Sequence, residues 1–384
     1  MKEKTCVLIL DNSPHLGGGE LYQIELAEML NGNEFRFIFA LTCETRREYL
    51  NKRGLESVLF SSGKLKIKNL FAAFFNLCSG VIQLVKMAKR NEVDIIQANT
   101  VRTHILSAVV SVFTKIPVIW VHHLFDFPPW LFRIFSAIPK KIICVSKTVM
   151  NHYGMAIADK SKLCIIYNGI DFKKIPSKSQ NSFFKKYSPA ASPEIKIGTV
   201  GRIENLKGQE YFIKSIPAVL EKIKNCRFFI IGEPGPGAEK YNEYIKKLIK
   251  ELGISEKIVF TGFIEERYEA ISDLDIIVQA SVEPETFGRV IIEGMSLGKP
   301  VIATHIGAFC EIIENGLDGI LVPPRDPVLL SAAIIKLAQD REYAHFLGSN
   351  GKRKVLETYN MSRTANAYRE LYRNLICKNH STST

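Results

Sequence analysis

Short, continuously apolar runs alternate with amphipathic stretches along the first half of the chain. The apolar runs lie at residues 6–10, 35–41, 56–60, 93–98, 117–121, 141–146 and 164–169, and helical patterns between them lie at 19–30, 69–90 and 104–114. Strands that are apolar along their whole length, rather than at alternate positions, are typical of a parallel sheet covered by helices on both faces. The first half therefore predicts a doubly wound α/β domain.

The same alternation begins again after a break. Residues 171–194 are rich in Pro, Ser and Lys, as a linker would be. New apolar runs follow at residues 195–201, 226–232, 257–262, 275–281, 300–304 and 318–323. The pattern predicts an α/β protein with two Rossmann-like doubly wound domains that face each other across a cleft. The predicted boundaries are 1–170 for an acceptor-binding domain, 171–194 for the linker, 195–360 for a nucleotide-sugar-binding domain, and 361–384 for a C-terminal helix that packs back on the first domain.

Length and composition fit this reading. At 384 residues the chain is longer than one α/β core usually grows, and its hydrophobic content of 46% is that of a globular protein. The eight cysteines are scattered, which predicts neither a zinc site nor a disulfide framework. The apolar run before Asp11 is too short for a signal peptide, and Lys115 and Pro117 interrupt the longest apolar tract. We therefore expect a cytoplasmic protein.

The net charge of +12 is confined to the first half of the chain. Residues 1–190 carry 26 Lys and Arg against 14 Asp and Glu, whereas residues 191–384 carry 25 of each sign. Such asymmetry favours a polyanionic partner for the first domain: an acidic membrane face, a phosphate-linked acceptor or nucleic acid. No helix-turn-helix, RNP-type or zinc arrangement accompanies the charge, so we expect no nucleic acid.

Two segments combine basic and large apolar residues. Residues 64–90 carry Lys64, Lys66 and Lys68 before an amphipathic helix, and residues 125–141 place Trp130 beside Arg133, Lys140 and Lys141. Either segment could touch an anionic membrane peripherally. Alternatively, each apolar stripe packs against the sheet while the basic residues are solvated.

The segment from Ser281 to Thr304 carries the most specific chemistry. Glu285 and Glu293 are separated by seven residues, and Phe287 and Gly288 between them open a predicted helix that stops at Gly298. A helix N-terminus after Gly presents unpaired N–H groups to anions, and a carboxylate can accept two hydroxyls of a ribose or sugar. This combination suits a nucleotide sugar.

Three other features are candidates for ligand binding. Arg202 and Lys207 lie in a loop after an apolar strand, where they could converge on a diphosphate or simply be solvated. The Gly17, Gly18, Gly19 loop opens a helix, and its backbone could approach a phosphate or an acceptor; the alternative is a tight strand–helix turn without ligand. A dinucleotide fingerprint would need Gly rather than Tyr at position 22, which argues against hydride transfer.

Taken in order, these segments resemble the motifs of retaining glycosyltransferases of family 4, also described as glycosyl transferases group 1, which have the GT-B fold. The resembling segments cover nearly the whole chain: Gly17 to Glu20, His122, Val145 to Lys147, Asn168 to Asp171, Val200 to Gly208, and the E-x7-E pair of Glu285 and Glu293.

The resemblance implies a role for each candidate. Arg202 and Lys207 would hold the donor pyrophosphate, Glu285 the sugar hydroxyls, and Glu293 the ribose. His122 would lie near the reacting sugar. The other donor contacts would come from Gly17, Gly18, Gly19, Phe287, Gly288 and Arg289. No side chain stands out as a nucleophile, and we expect same-face attack without a metal ion or cofactor.

The resulting hypothesis is a retaining hexosyltransferase. It would use a nucleotide diphosphate sugar, UDP- or GDP-linked, and a glycan or lipid-linked acceptor in cell-envelope polysaccharide biosynthesis, such as capsule, O-antigen, lipopolysaccharide or exopolysaccharide. We expect it in the cytoplasm or peripherally on the inner face of the cytoplasmic membrane. Two alternatives remain open: a nucleotide-sugar 2-epimerase of the same architecture and a non-enzymatic basic binding module.

Overall fold

The computed structural model describes residues 4–13, 16–32, 34–61, 70–125, 127–175, 183–186 and 194–381, without the side chains of 70–77, 185, 186 and 378–381. The described residues form two compact units. Residues up to 169 together with those from 361 onward form the first unit, and residues between 170 and 360 form the second.

The first unit is built on a seven-stranded parallel sheet with the order β3-β2-β1-β4-β5-β6-β7. Its elements are β1 (Thr5–Asp11), α1 (Gly18–Leu30), β2 (Phe35–Leu41), α2 (Glu44–Lys52), β3 (Glu56–Leu59), α3 (Leu70–Arg90), β4 (Ile95–Ala98), α4 (Val101–Thr114), β5 (Val118–His122), α5 (Pro129–Phe135), β6 (Lys141–Cys144), α6 (Lys147–Gly154) and β7 (Leu163–Ile165). The central strands are buried along their length, as continuous apolar runs require.

The second unit repeats this architecture with a six-stranded parallel sheet of order β10-β9-β8-β11-β12-β13. Its elements are β8 (Ile195–Val200), α7 (Gln209–Lys222), β9 (Cys226–Ile231), α8 (Glu239–Glu251), β10 (Ile258–Gly262), α9 (Arg267–Asp273), β11 (Ile276–Gln279), α10 (Arg289–Ser296), β12 (Val301–Thr304), α11 (Phe309–Ile312), β13 (Ile320–Val322), α12 (Pro327–Gln339) and α13 (Arg341–Thr358). Both units are therefore Rossmann-like α/β domains.

The last helix, α14 (Met361–Ser381), belongs to the first unit. It packs along α1, and the ring of Tyr372 lies 5.5 Å from that of Phe35 and 6.2 Å from that of Phe37. The buried side chains of this helix include those of Tyr368 and Tyr372, which are fully buried, and that of Leu375.

Most of the predicted linker lies outside the described residues. The structure describes residues 171–175, 183–186 and 194 of it, and Phe183–Lys186 form a 3-10 helix that packs against α9. The ring of Phe184 is fully buried and stacks on that of Phe229. The backbone N–H of Phe184 donates to Asp273 Oδ2 at 2.8 Å. This part of the segment is therefore an element of the second unit rather than a free connection.

Each sheet has one point where the strand order reverses, between β1 and β4 and between β8 and β11. At such a point the loops that follow the two neighbouring strands run in opposite directions. A crevice therefore opens between them at the carboxyl ends of the strands, and ligands of doubly wound sheets bind in it. The predicted site residues of the second unit follow β8 and β11 directly. In the first unit the glycines follow β1, and His122 is the last residue of β5.

Candidate functional site

The loops after β8 and β11 bring Lys207, Ser281 and Glu285 together. Lys207 Nζ donates to Glu285 Oε1 at 2.6 Å, and Ser281 Oγ donates to the same oxygen at 2.7 Å. The two loops touch because Gly208 has a φ of +64° and a Cβ there would lie 1.9 Å from the carbonyl oxygen of Ala280. Glycine at this position is what allows the lysine to reach the carboxylate.

Glu285 is held in its charged form. Burial by itself raises the pKa of this carboxyl, but the charge and hydrogen bond of Lys207, the hydroxyl of Ser281 and the charge of Arg202 together hold the pKa below its usual range. The side chains of Lys207 and Glu285 are 23% and 13% exposed. The pair is thus largely desolvated, yet one edge remains accessible to a ligand.

A third loop fixes the backbone of Glu285. Its carbonyl oxygen accepts the N–H of Ala308 at 2.9 Å. Gly307, with a φ of +56°, passes so close that a Cβ would lie 2.5 Å from the Glu285 nitrogen and 2.6 Å from its carbonyl oxygen. The carboxylate is therefore positioned from both its side chain and its backbone.

Arg202 lies beside this cluster, with its side chain 51% exposed and an ion pair of 3.1 Å to Glu204. Its carbonyl oxygen accepts from Gln209 Nε2 at 2.9 Å, so the backbone is held while the guanidinium extends towards solvent. Arg202 and Lys207 thus supply positive charge at the same end of the sheet. A cavity of about 660 Å3 opens on the Arg202 side, where Tyr211, Tyr241 and Arg325 also line it.

Glu293 lies in the second turn of α10, where two arginines hold its carboxylate. Oε1 accepts from Arg267 Nε at 3.0 Å and from Arg289 Nε at 3.1 Å, and the carboxylate is almost fully buried. Arg289 lies four residues before Glu293 on the same helix, so its contact with Glu293 can be predicted from the sequence. Arg267 was not among the predicted site residues, because only the packing of α9 against α10 brings it near.

Gly288 and Phe287 shape the start of α10. Gly288 has a φ of +88°, and a Cβ there would lie 2.5 Å from the ring of Phe309. The side chain of Phe287 is buried, with its ring 5.8 Å from that of Tyr359. The sequence placed Phe287 among the donor contacts. In the structure its ring packs inside the second unit, so any contact from this residue would come from its backbone.

In the first unit, the glycine loop of Gly17, Gly18 and Gly19 leads into α1: Gly17 is the N-cap, and the other two are the first residues of the helix. Glu20 Oε2 accepts the N–H of Gly17 at 2.9 Å, so a carboxylate already occupies the start of the helix. Buried Asp11 lies nearby, and Arg46 Nη2 lies 3.1 Å from its Oδ2. Burial raises the pKa of Asp11, and the charge of Glu20 adds to this effect. Acidic groups at this end make the loop better suited to neutral hydroxyls than to phosphate.

His122 is fully buried within an aromatic cluster. Its ring centroid lies 4.5 Å from that of His104, 4.4 Å from Tyr153 and 5.3 Å from Phe132. Burial holds the pKa of His122 well below its usual range, so the ring is neutral. Its Nε2 has no hydrogen-bond partner among the described residues. His122 therefore faces the interior of the unit rather than the glycine loop.

The neighbouring His123 faces the loop instead. A Cβ at Gly19 would lie 3.3 Å from the Cγ of His123, and His123 Nε2 lies 2.9 Å from Gln23 Nε2. Successive side chains of a strand point to opposite sides, so a shift of one residue decides which histidine faces the loop. The sequence could not distinguish them, because both follow the apolar run.

The surface of α5 carries large exposed apolar side chains. Trp130 is 68% exposed, Ile134 one turn later is 61% exposed, and Leu124 in the preceding loop is 51% exposed. Arg133 and Lys140 are exposed in the same stretch. In the other basic segment, Lys64, Lys66 and Lys68 lie outside the described residues. Across the described part of the chain, no helix has the length and apolar character needed to cross a membrane.

Comparison with known proteins identifies the family to which the chain belongs. Residues 16–174 match the model described as Glycosyltransferase Family 4, and residues 180–354 match the model described as Glycosyl transferases group 1. The uncharacterized glycosyltransferase MJ1607 of Methanocaldococcus jannaschii is 28% identical over 239 residues, which are 61% of this chain and 60% of that protein. The capsular polysaccharide biosynthesis glycosyltransferase CapM of Staphylococcus aureus is 21% identical over 336 residues, covering 80% of this chain and 87% of CapM.

Among solved structures, that of Anabaena Alr3699/HepE in complex with UDP and glucose superposes with a TM-score of 0.86 at 23% identity, covering 96% of this chain and 100% of that one. This likeness establishes a shared fold. Against several curated relatives, by contrast, the chain spans only about 60% of their length. Since the two family models together account for nearly all of both units, the chain belongs to glycosyltransferase family 4, the glycosyl transferases group 1, whose fold is GT-B.

Proposed function

We propose that the protein is a retaining glycosyltransferase that moves a sugar from a nucleotide diphosphate sugar to a hydroxyl of a lipid-linked or oligosaccharide acceptor. The observation that carries the proposal is the Lys207–Glu285 pair beside Arg202 at the carboxyl ends of β8 and β11. It combines two cations for a diphosphate with a charged carboxylate that can accept sugar hydroxyls.

The proposed donor is UDP-linked, with a GDP-linked sugar as the second choice. The structure of Anabaena Alr3699/HepE in complex with UDP and glucose supports UDP, since that protein has the same fold. In the proposal, Lys207 and Arg202 neutralise the diphosphate. The buried carboxylate of Glu293, oriented by Arg267 and Arg289, accepts the ribose hydroxyls.

The proposed reaction replaces a glycosyl phosphate bond by a glycosidic bond on the same face of the sugar. The bond between C1 and the phosphate oxygen breaks, the acceptor oxygen bonds to C1, and the acceptor proton passes to the departing phosphate. Lys207 and Arg202 stabilise the charge that develops on the leaving group. His123 is the histidine that we assign to a substrate hydroxyl, because it lies against Gly19 whereas His122 is buried.

Cell-envelope polysaccharide assembly is the proposed setting. Two similar proteins support it by name: the capsular polysaccharide biosynthesis glycosyltransferase CapM of Staphylococcus aureus and the lipopolysaccharide core biosynthesis mannosyltransferase LpsB of Rhizobium meliloti. The excess of basic residues in the first half of the chain, 26 against 14 acidic residues, agrees with a phosphate-linked acceptor or an anionic membrane.

A donor screen followed by product analysis tests the proposal. A nucleotide at one hundred times its Kd stabilises the folded state by about 2.7 kcal/mol, so the correct one should raise Tm clearly. The best donor is then incubated with lipid-linked and oligosaccharide acceptors, with and without a chelator. The anomeric configuration of the product is read by NMR. We expect retained configuration and no loss with chelator.

Three results would contradict this function. An inverted product would exclude retention, and loss of activity with chelator would exclude a metal-independent reaction. Conversion of the nucleotide sugar to its 2-epimer without any acceptor would identify the enzyme as an epimerase of the same architecture. Lys207→Met should abolish the Tm shift, and it therefore serves as the control for binding at this site.

We further propose that the apolar surface of α5, formed by Leu124, Trp130 and Ile134, touches the anionic membrane face. Aromatic and aliphatic groups flanked by Arg133 and Lys140 suit the boundary between headgroups and acyl chains. Vesicles containing anionic lipid should bind the protein at low salt and release it at high salt.

Replacement of Trp130 and Ile134 by Ser should weaken vesicle binding by about tenfold to a thousandfold, because full burial of each large side chain contributes about 2 kcal/mol and tenfold corresponds to about 1.4 kcal/mol. The matched control replaces Val112 and Phe113 by Ser; these side chains are exposed to a similar degree on α4. Equal loss of binding in both variants, or tight binding to neutral vesicles, would contradict a membrane contact through α5.

A further inference from the structure

A chain of three hydrogen bonds runs through the interior of the first unit, from α14 to the end of β5. Tyr372 Oη donates to Gln97 Oε1 at 2.7 Å, and Gln97 Nε2 donates to Gln23 Oε1 at 2.6 Å. Gln23 Nε2 then lies 2.9 Å from His123 Nε2. Tyr372, Gln97 and Gln23 are all buried, so water does not compete for these groups.

The direction of this chain determines where His123 carries its proton. The oxygen of a glutamine amide accepts a hydrogen bond and its NH2 group donates one. Because Tyr372 donates to the oxygen of Gln97, each amide in the chain donates in turn towards His123. Because Gln23 presents its NH2 group, His123 Nε2 must accept, and the ring proton then lies on Nδ1. Gln97 Nε2 also lies 3.4 Å from Asn99 Oδ1, a second acceptor that favours the same amide orientation.

The Nδ1 edge of His123 faces the glycine loop. A Cβ at Gly19 would lie 3.5 Å from Nδ1, so the start of α1 is in contact with this edge of the ring. A proton on Nδ1 makes this edge a hydrogen-bond donor. Burial also raises the pKa of Tyr372, which keeps its hydroxyl protonated and able to start the chain.

We infer that Tyr372 is a positioning residue that acts through Gln97 and Gln23 to hold His123 in the Nδ1–H tautomer, ready to donate to a substrate hydroxyl. The inference rests on the proposed function in giving His123 a substrate hydroxyl to contact. It also assigns α14 a task beyond packing: the helix supplies the donor that orients a side chain at the opposite end of the buried network.

The tautomer is measured directly in the full-length protein labelled with 15N-histidine. Long-range 1H–15N correlation distinguishes protonated from unprotonated ring nitrogens, and a His123→Asn variant assigns the resonance. We expect Nδ1–H in the unmodified protein. Tyr372→Phe keeps the ring that packs on Phe35 and Phe37 but removes the hydroxyl. We expect it to give a mixture of tautomers and to lower kcat about fivefold, as loss of one hydrogen bond would, with donor KM unchanged.

A second variant should reverse the tautomer. Gln23→Glu replaces the NH2 group facing His123 by a carboxylate oxygen, which only accepts, so the proton should move to Nε2. Leu375→Ala is the matched control, because it removes packing from the same helix without touching the hydrogen-bond chain. It should lower Tm while leaving the tautomer and kcat unchanged.

Several outcomes would overturn the inference: an Nε2–H tautomer in the unmodified protein, an unchanged tautomer in Tyr372→Phe, or the same tautomer change in Leu375→Ala. A changed tautomer with unchanged kcat would refute the positioning role. Failure of the proposed function is distinguishable, since it would appear as absent nucleotide binding in the unmodified protein, whereas the NMR readout needs no substrate.

Discussion

Lys207→Met isolates the ion pair at the centre of the proposed donor site. Methionine has nearly the length of lysine but no charge, so the variant removes the attraction to Glu285 with little change in packing. In the native structure the two groups are 2.6 Å apart, and their side chains are 23% and 13% exposed. The substitution therefore leaves a mostly desolvated carboxylate that, among the described residues, still accepts a hydrogen bond from Ser281.

The expected loss of stability is about 3 kcal/mol at neutral pH. Breaking a buried pair by removing one partner costs about 3–5 kcal/mol, because the remaining charge is uncompensated. The lower end applies here, since Ser281 still donates to Glu285 and the charge of Arg202 is nearby. Replacing both partners, as in Lys207→Met with Glu285→Gln, should recover much of this loss because no buried charge remains.

The pH dependence should change sign. In the native protein the pKa of Glu285 is lowered, so this carboxyl adds stability above its unfolded pKa of about 4.3 and loses it as the pH falls through the folded value. Without Lys207, burial dominates and raises the folded pKa above the unfolded one. The folded variant then binds more protons, and its stability falls as the pH rises through that range. The difference between the two proteins should be smallest near pH 4 and largest near pH 7.

Urea unfolding at several values between pH 4 and pH 8 measures this difference, combined with nucleotide binding by calorimetry. Lys196→Met is the matched control, because Lys196 pairs with the buried Asp273 at the opposite end of β8. We expect it to destabilise the second unit as well but to leave nucleotide binding intact. A loss below about 0.5 kcal/mol for Lys207→Met, or a loss that is constant across this pH range, would refute the reasoning.

Three further changes have distinct expected outcomes. Gly307→Ala places a Cβ against the backbone of Glu285, so it should cost about 1–3 kcal/mol and lower Tm; an unchanged Tm would mean that the loop relaxes freely. Arg202→Ala removes an exposed side chain, so stability should stay within about 0.5 kcal/mol while kcat/KM falls about 100-fold; steady-state kinetics decides, and near-normal turnover would remove the assignment. Glu293→Gln leaves Arg267 facing a neutral amide, so calorimetry should show weaker nucleotide binding, and unchanged affinity would separate this residue from the ribose.

The sequence predicted the two sheets well because their signal is local. Continuous apolar runs between helical patterns were sufficient for the strands, and the observed β2, residues 35–41, agrees with its predicted range. The E-x7-E spacing likewise placed Glu285 before α10 and Glu293 in its second turn, since a helix start after glycine is encoded within a few residues.

Contacts between distant segments were not predictable in the same way. Arg267 meets Glu293 only because α9 packs against α10, and the tyrosine face of α14 depends on how that helix is rotated against the first sheet. The choice between His122 and His123 depends on strand register, which a run of apolar residues followed by two histidines does not specify.

The sequence by itself determined the α/β class, the two-domain division and the family, because hydrophobic periodicity and short motifs are properties of neighbouring residues. Only the tertiary structure decided which charges pair, which histidine faces the glycine loop and how Tyr372 reaches it through two amides. These depend on side chains from separate elements meeting within about 3 Å, the range of a hydrogen bond. Burial then strengthens these hydrogen bonds and ion pairs by excluding water, and the burial of a residue depends on the whole fold.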